Sequence, residues 1–180
     1  MVALNPEQFA QAVRLGPLVA IDLLPFNRQG QVLLGLRSNR PAQNSWFVPG
    51  GRVHKDERLA AAMERISQAE LGQTIVQGQV RFLGVYEHFY SDNFLGDPSF
   101  GTHYIVLAYA VDFEAPLENL PAAQHGLYRW FTVEELLAHP DVHPNMKAYF
   151  MDHDAWGRCI GGVKVFEHER HENHERKKSC

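Results

Sequence analysis

The sequence predicts an α/β sandwich built on a mixed sheet. Short apolar runs of strand type recur along the 180 residues, helical stretches with recognisable start signals are interleaved with them, and one of those helices falls centrally among the strands. Hydrophobic residues make up 45% of the chain and charged residues 21%, the usage of a globular protein with a real core. A length of 180 residues fits one domain, and there are no internal repeats.

Asn5-Pro6-Glu7 opens a helix, with Asn as cap, Pro at the first helical position and Glu in the first turn. Phe9, Ala12 and Val13 recur at helical spacing and carry it to about Leu15. Leu18–Leu24 is an apolar run interrupted by Asp22. A turn containing Asn27 and Gly30 leads to a second run, Gln31–Leu36, as in a hairpin. Ser45–Val48 reads as a short aromatic strand, stopped by Pro49-Gly50-Gly51. Asp56 to Gly72 is helical: Asp56 is a plausible cap, Leu59, Met63 and Ile66 share a face, and Gly72 supplies a left-handed stop. Gln79–Tyr90 and Thr102–Phe113 are long strand-type runs joined by the polar and aromatic loop Ser91–Gly101. Tyr128–Phe131 is a further strand. Thr132-x-x-Glu135 is a capping box opening a helix through Leu137, and Asn145–Phe150 is the last helix.

Residues 1–162 are expected to form the single domain and residues 163–180 a polar, disordered tail. Glu167–Lys178 is almost entirely Glu, His, Arg and Lys, which cannot offset its ordering entropy by burial. His168, His171 and His174 recur at a spacing of three, so a metal-binding helix face is the other reading of that stretch. With 17 basic and 21 acidic residues, the net charge of −4 suggests neither a nucleic-acid coat nor a membrane-surface protein. No apolar stretch approaches the roughly 20 residues of a membrane helix, and no secretory leader pattern is present. Cys159 and Cys180 are too few for a disulfide scaffold. A cytoplasmic location is the expectation.

Chemistry concentrates in Gly35–Gly72. Pro49-Gly50-Gly51 lets backbone come close to a ligand or turn sharply before a helix. Arg37, Arg40 and Arg52 surround it, and guanidinium groups suit bidentate contacts with phosphate oxygens; pairing with surface carboxylates is the alternative. At 100° per residue, Leu59, Ala62, Met63, Ile66 and Ala69 fall on one arc, and Glu70 falls inside it. A carboxylate among apolar side chains is costly unless paired or bound to a cation. Glu70 is therefore a candidate ligand for Mg²⁺, or one half of a buried ion pair with an arginine.

The run Gly51-x5-Glu57-x7-Arg65-Ile66-Ser67-Gln68-Ala69-Glu70-Leu71-Gly72-Gln73 resembles the Nudix box, G-x5-E-x7-R-E-U-x-E-E-x-G-U with U aliphatic. Gly51, Glu57, Arg65, Glu70 and Gly72 match. Ile66 and Ala69 stand where the box has glutamates, and Ser67 and Gln73 where it has aliphatics. These departures are similar to one branch, the GDP-mannose mannosyl hydrolases. The resemblance extends through Arg37-Ser38-Asn39-Arg40-Pro41-Ala42-Gln43, Trp46-Phe47-Val48-Pro49-Gly50-Gly51, Tyr86-Glu87-His88-Phe89-Tyr90, Thr102-His103-Tyr104 and Gln124-His125, and covers about residues 5–150.

The resemblance implies a Nudix-type α/β/α sandwich with a mixed sheet, and hydrolysis of GDP-mannose or a related GDP-hexose by water attack at the anomeric carbon, with inversion. By position, the Gly50 carbonyl, Glu70 and Gln124 would hold one Mg²⁺, for which Mn²⁺ could substitute, and His125 would be the general base. Arg37, Arg52 and Tyr104 would stabilise the leaving GDP, and Asp22 and His88 would contact the mannosyl group. Arg65 would orient the helix by pairing with Glu57 or Glu70. Family members are homodimers, so Phe9 and its helix would help dimerise or hold guanine. Each residue has a plainer reading: Asp22 as an acceptor of backbone hydrogen bonds, His88 as a half-buried strand residue, Tyr104 as a core aromatic. His103, His139 and His143 read as structural or surface. Cleavage at phosphorus by a nucleotide-sugar pyrophosphatase, and nucleotide-sugar binding without turnover, are the competing functions.

Overall fold

The computed structural model describes residues 4–122 and 125–151. The elements in chain order are α1 (Pro6–Leu15), β1 (Leu18–Phe26), β2 (Val32–Arg37), β3 (Trp46–Phe47), β4 (Gly50–Arg52), α2 (Leu59–Leu71), β5 (Val80–Tyr90), β6 (Thr102–Asp112), β7 (His125–Phe131), α3 (Val133–Ala138) and α4 (Pro144–Ala148). All seven strands join one sheet along the path β3-β2-β1-β6-β5, with β4 added to β1 and β7 to β2. The β1–β6 pair is parallel from Leu18↔Tyr104 to Phe26↔Asp112, and the other named pairs are antiparallel, so the sheet is mixed as expected.

Alternation along the strands divides the core in two. Ile21 and Leu23 of β1, Leu33 of β2 and Tyr109 and Val111 of β6 pack on one face beneath Ala62, Met63, Ile66 and Leu71 of α2. Leu24, Val32, Leu34 and Ala108 pack on the other beneath Leu136 of α3 and Met146 and Tyr149 of the α4 region. The result is the expected three-layer α/β/α sandwich.

Helix starts follow local chemistry. Asn5 accepts from the Gln8 amide at 2.9 Å while Gln8 accepts from the Asn5 amide at 3.1 Å, a full capping box. The Thr132–Glu135 box forms as expected, and Gly72 closes α2 at φ 70°.

Four expectations need correction. The central helix begins at Leu59 with Arg58 in the cap position, while Asp56 sits in a turn at φ 63°; among the described residues no side chain caps this end. The buried arc of α2 holds Ser67 and Leu71 and leaves Ala69 exposed and Leu59 43% exposed. Ser67 can be buried because its hydroxyl donates to the Glu64 carbonyl and accepts from the Ile75 amide. The final strand starts at His125 rather than Tyr128, since Arg37 of β2 extends the ladder back to it across an irregularity. Finally, α4 spans Pro144–Ala148 with the His143 ring as cap. Gln124 and the tail from 163 lie outside the described residues.

One ion pair fixes α2 against the sheet. Glu57 accepts from Arg65 Nε at 2.7 Å, from Arg65 Nη2 at 2.8 Å and from the His54 amide at 2.8 Å, and Arg65 Nη2 also donates to the Arg52 carbonyl at 2.8 Å. These bonds hold the Glu57 carboxyl down at about 2, against an ordinary 4.5. A depressed carboxyl stabilises the fold above pH 4.5 and loses that contribution as pH falls through about 2. Arg65→Ala is expected to cost about 1–2 kcal/mol in urea unfolding at pH 7, since the guanidinium is partly exposed. The difference from the native protein should shrink as the titration descends from pH 4.5 toward 2.

Candidate active site

The ladders that build the sheet also gather a set of polar side chains. Across them Asp22 pairs with Gly50, Ala20 with Arg52, Leu18 with Tyr104, and His88 with Tyr104. Alternation aims Asp22 on β1, Tyr104 on β6 and His88 and Tyr90 on β5 into a cavity of about 270 Å³. Phe9 and Val13 of α1, Arg37 at the end of β2, the Gly50–Arg52 strand and Phe94 of the 91–101 loop complete the wall. A Cβ at Gly50 would collide with the Asp22 carboxylate and the Ile21 carbonyl, so β4 approaches β1 this closely only because residue 50 has no side chain.

Arg37 and Arg52 give the cavity its charge. Among the described residues neither guanidinium lies within ion-pair distance of a carboxylate. Arg37 Nε donates to the Pro41 carbonyl at 3.0 Å and its Cζ stands 5.3 Å from the centre of the Phe47 ring. Arg52 lies 3.8 Å over the Phe9 ring, and burial pushes its pKa down. Arg40, in contrast, spends its charge on Asp92 at 3.2 Å, the surface pairing that its position allowed. Two half-buried cations on one wall make a receptor for an anion of matching size.

Asp22 and His88 add a carboxyl and an imidazole to the same cavity. Asp22 is buried, and desolvation raises its carboxyl to about 7 despite the Tyr149 hydrogen bond and the Arg37 charge, which both act to lower it. Tyr149 donates to Asp22 Oδ2 at 2.7 Å, and its oxygen stands 3.2 Å from His88 Nε2. Burial, with a smaller contribution from His143, takes His88 down to about 4, so the ring is neutral near pH 7.

Glu70 and His125 form a second group. His125 Nδ1 is 3.6 Å from Glu70 Oε2, and the residues are 1% and 4% exposed. Desolvation raises Glu70 to about 7, with Arg37 opposing, and lowers His125 to about 4, with Arg37 adding to the effect. His125 Nε2 is buried and has no hydrogen-bond partner among the described residues. Neither side chain is on the cavity wall. Arg37 joins the two groups, as the ladder partner of His125 and as a cavity-lining charge that acts on Asp22. The His125 ring fills the space beside Gly35, where any Cβ would strike it.

The structure thus brings Phe9, Asp22, Arg37, Gly50, Arg52, His88 and Tyr104 to one cavity, and sets Glu70 and His125 together next to it. Arg65 pairs with Glu57 and not with Glu70. Residues that sequence reasoning did not find are Tyr149, which links Asp22 to His88, and Phe94, whose ring centre is 4.6 Å from that of Phe9. Phe94 is presented by buried Asn93, whose Nδ2 donates to the Asp97 and Phe100 carbonyls at 2.7 and 2.6 Å. An Asn inside an eleven-residue polar loop was the available signal for that turn.

A family model for the NUDIX domain matches residues 16–153. The chain belongs to the Nudix family. It is 35% identical over 135 residues, 74% of its length and 80% of the relative's, to a protein of Haloferax volcanii named low-salt glycan biosynthesis protein Agl8. Among solved structures, a MutT protein from Methanosarcina mazei superposes with a TM-score of 0.61 at 21% identity, covering 76% of this chain and 92% of that one. The NUDIX domain of Shewanella oneidensis NrtR, solved with ADP-ribose, superposes with a TM-score of 0.54 at 17% identity over 82% and 96% of the two chains. These structures share the Nudix fold.

Nudix hydrolases generally use a divalent cation such as Mg²⁺. The residues of this Nudix chain fit one such ion sparingly. Glu70 is a buried carboxylate whose Oε2 stands 3.6 Å from Nδ1 of the His125 ring. The described residues contain no group of three His, Cys, Asp or Glu able to hold a metal. Backbone, amide, substrate and water oxygens would have to complete the shell, which suits Mg²⁺.

Removal of either unpaired cation should weaken anion capture. Arg37→Ala and Arg52→Ala are each expected to raise the Kd for inorganic pyrophosphate by ~10-fold or more in calorimetric titration, as the loss of a charge-assisted bond does. Arg40→Ala should leave it unchanged.

Proposed function

We propose that this Nudix hydrolase cleaves GDP-mannose or a related GDP-hexose with water at the anomeric carbon, inverting it and releasing GDP and the free sugar. The observation that carries the reading is the sparse acidity of α2. Its buried face holds one carboxylate, Glu70; position 66 is an isoleucine packed against Gly51, and position 69 is an alanine. A site with one such ligand is suited to drawing off a diphosphate, and less suited to activating water at phosphorus as well. The relative from Haloferax volcanii bears a name from glycan biosynthesis, a process that consumes activated sugars.

In this reading the Gly50 carbonyl, Glu70 and Gln124 would hold Mg²⁺, with Mn²⁺ as a substitute, and the ion would supply positive charge beside the diphosphate. Arg37, Arg52 and the Tyr104 hydroxyl bind the same phosphates and stabilise the charge that grows on the leaving oxygen. Phe9 lies under Arg52 and against Phe94 on the cavity wall, which favours stacking on guanine over a role in dimerisation. Asp22 and His88 take the sugar hydroxyls. His125, neutral near pH 7, accepts the proton of the attacking water as the C1–O bond breaks and its electron pair leaves with GDP. The protein is read as a cytoplasmic homodimer; apolar Phe82, Val85 and Phe89 exposed on the edge strand β5 support association. No helix among the described residues is long and apolar enough to cross a membrane.

Hydrolysis in ¹⁸O-water should place the label in the sugar, with the opposite anomer first seen by NMR; label in a phosphate product would mean attack at phosphorus and sink the proposal. His125→Ala and Glu70→Ala are each expected to lower kcat by at least ~10²-fold. Chelation of divalent ions should abolish GDP release, and a protein that only binds would release none under any condition.

A further inference from the structure

The sugar end of the cavity contains a connection that the proposed reaction does not use. Tyr149 follows α4 directly, and α4 is held to the sheet by Met146, whose sulfur accepts from the Val48 amide at 3.2 Å. This anchorage points the Tyr149 ring at the middle of β1 and the C-terminal part of β5. The ring is 7% exposed, meets Tyr86 edge-on with centres 4.6 Å apart, and its oxygen reaches Asp22 Oδ2 at 2.7 Å and His88 Nε2 at 3.2 Å.

A phenol has one proton to give. The shorter contact is to the carboxylate, which in its ionised form can only accept, so in that form of the site the proton goes to Asp22. The phenol oxygen then accepts, and the group facing it must be an N–H. His88 consequently carries its proton on Nε2 and leaves Nδ1 as an acceptor. We propose that Tyr149 is a positioning residue, whose hydroxyl joins Asp22 and His88 into one unit, locking the carboxylate rotamer and the imidazole tautomer that read the sugar hydroxyls. This rests on the reading of Asp22 and His88 as the sugar-contacting pair. Its consequence is that the two side chains do not act as independent contacts: their shared partner sets both orientations before substrate arrives.

Long-range ¹⁵N–¹H correlation spectra of the ligand-free protein, recorded at about pH 9 where the Asp22 carboxyl is ionised, report the His88 tautomer without any turnover. The native protein should show Nε2–H, and Tyr149→Phe, which keeps the ring and removes the oxygen, should show a mixture or Nδ1–H. In parallel, Tyr149→Phe should bind GDP within about twofold of the native Kd while kcat/KM for GDP-mannose falls ~10–10²-fold, as a displaced contact group does. A merely structural role would weaken GDP binding and turnover together. Nδ1–H in the native protein, the same tautomer in both proteins, or equal loss of GDP binding and turnover overturns the inference. The native tautomer is informative even if the variant fails to fold. If native protein does not turn over GDP-mannose, the substrate reading fails, and the tautomer comparison still decides the link.

Discussion

Buried backbone groups need hydrogen-bond partners, and β1 and β2 solve that requirement by parting company. They share a single ladder position, Phe26↔Val32, and from there each finds other neighbours: β1 takes β4, and β2 takes β3 and β7. The cleft between the diverging strands is where the chemistry collects. Asp22 and Gly50 line one side of it, Arg37 and His125 belong to the other, and Glu70 comes in from α2. Without the short β4 strand, β1 would expose unpaired amides to the cavity; without the bare Gly50 backbone, β4 could not come near enough to cover them.

Desolvation governs the electrostatics of that cleft. Two carboxyls are pushed up to about 7 and two imidazoles down to about 4, all chiefly by burial, so the groups resist charging where water is excluded. The guanidinium groups cannot respond in this way because their protons are held too strongly. The cavity therefore has permanent positive charge from Arg37 and Arg52 and only conditional negative charge near it. On the proposed reading, an arriving diphosphate would meet a field already in place, with little reorganisation to make.

Most of the fold was legible from local rules. The caps at Asn5 and Thr132, the stop at Gly72 and the apolar, strand-type runs of β1, β5 and β6 are each local signals, and the corresponding elements form where expected. Local rules misplaced Asp56, because a left-handed turn precedes the helix there, and Ala69, because Ser67 could be buried by satisfying its own hydroxyl. The site was legible mainly through resemblance to a family, since spacing alone left Glu70 and the arginines with alternatives. Tyr149 carried no signal at all: its partner Asp22 is 127 positions away, and a tyrosine ending a short helix looks like any core aromatic. Phe94 was hidden for a similar reason, its placement depending on the turn that Asn93 makes with its own loop.

The burial of Asp22, Glu70, His88 and His125 has a consequence for how this lineage can change. Each of the four occupies space that aliphatic residues could fill without desolvating an ionisable group, and such replacements often strengthen a fold. A duplicated copy released from selection would tend to drift toward a tougher, inert descendant. Retention of all four against that pull would then mark a descendant still under purifying selection.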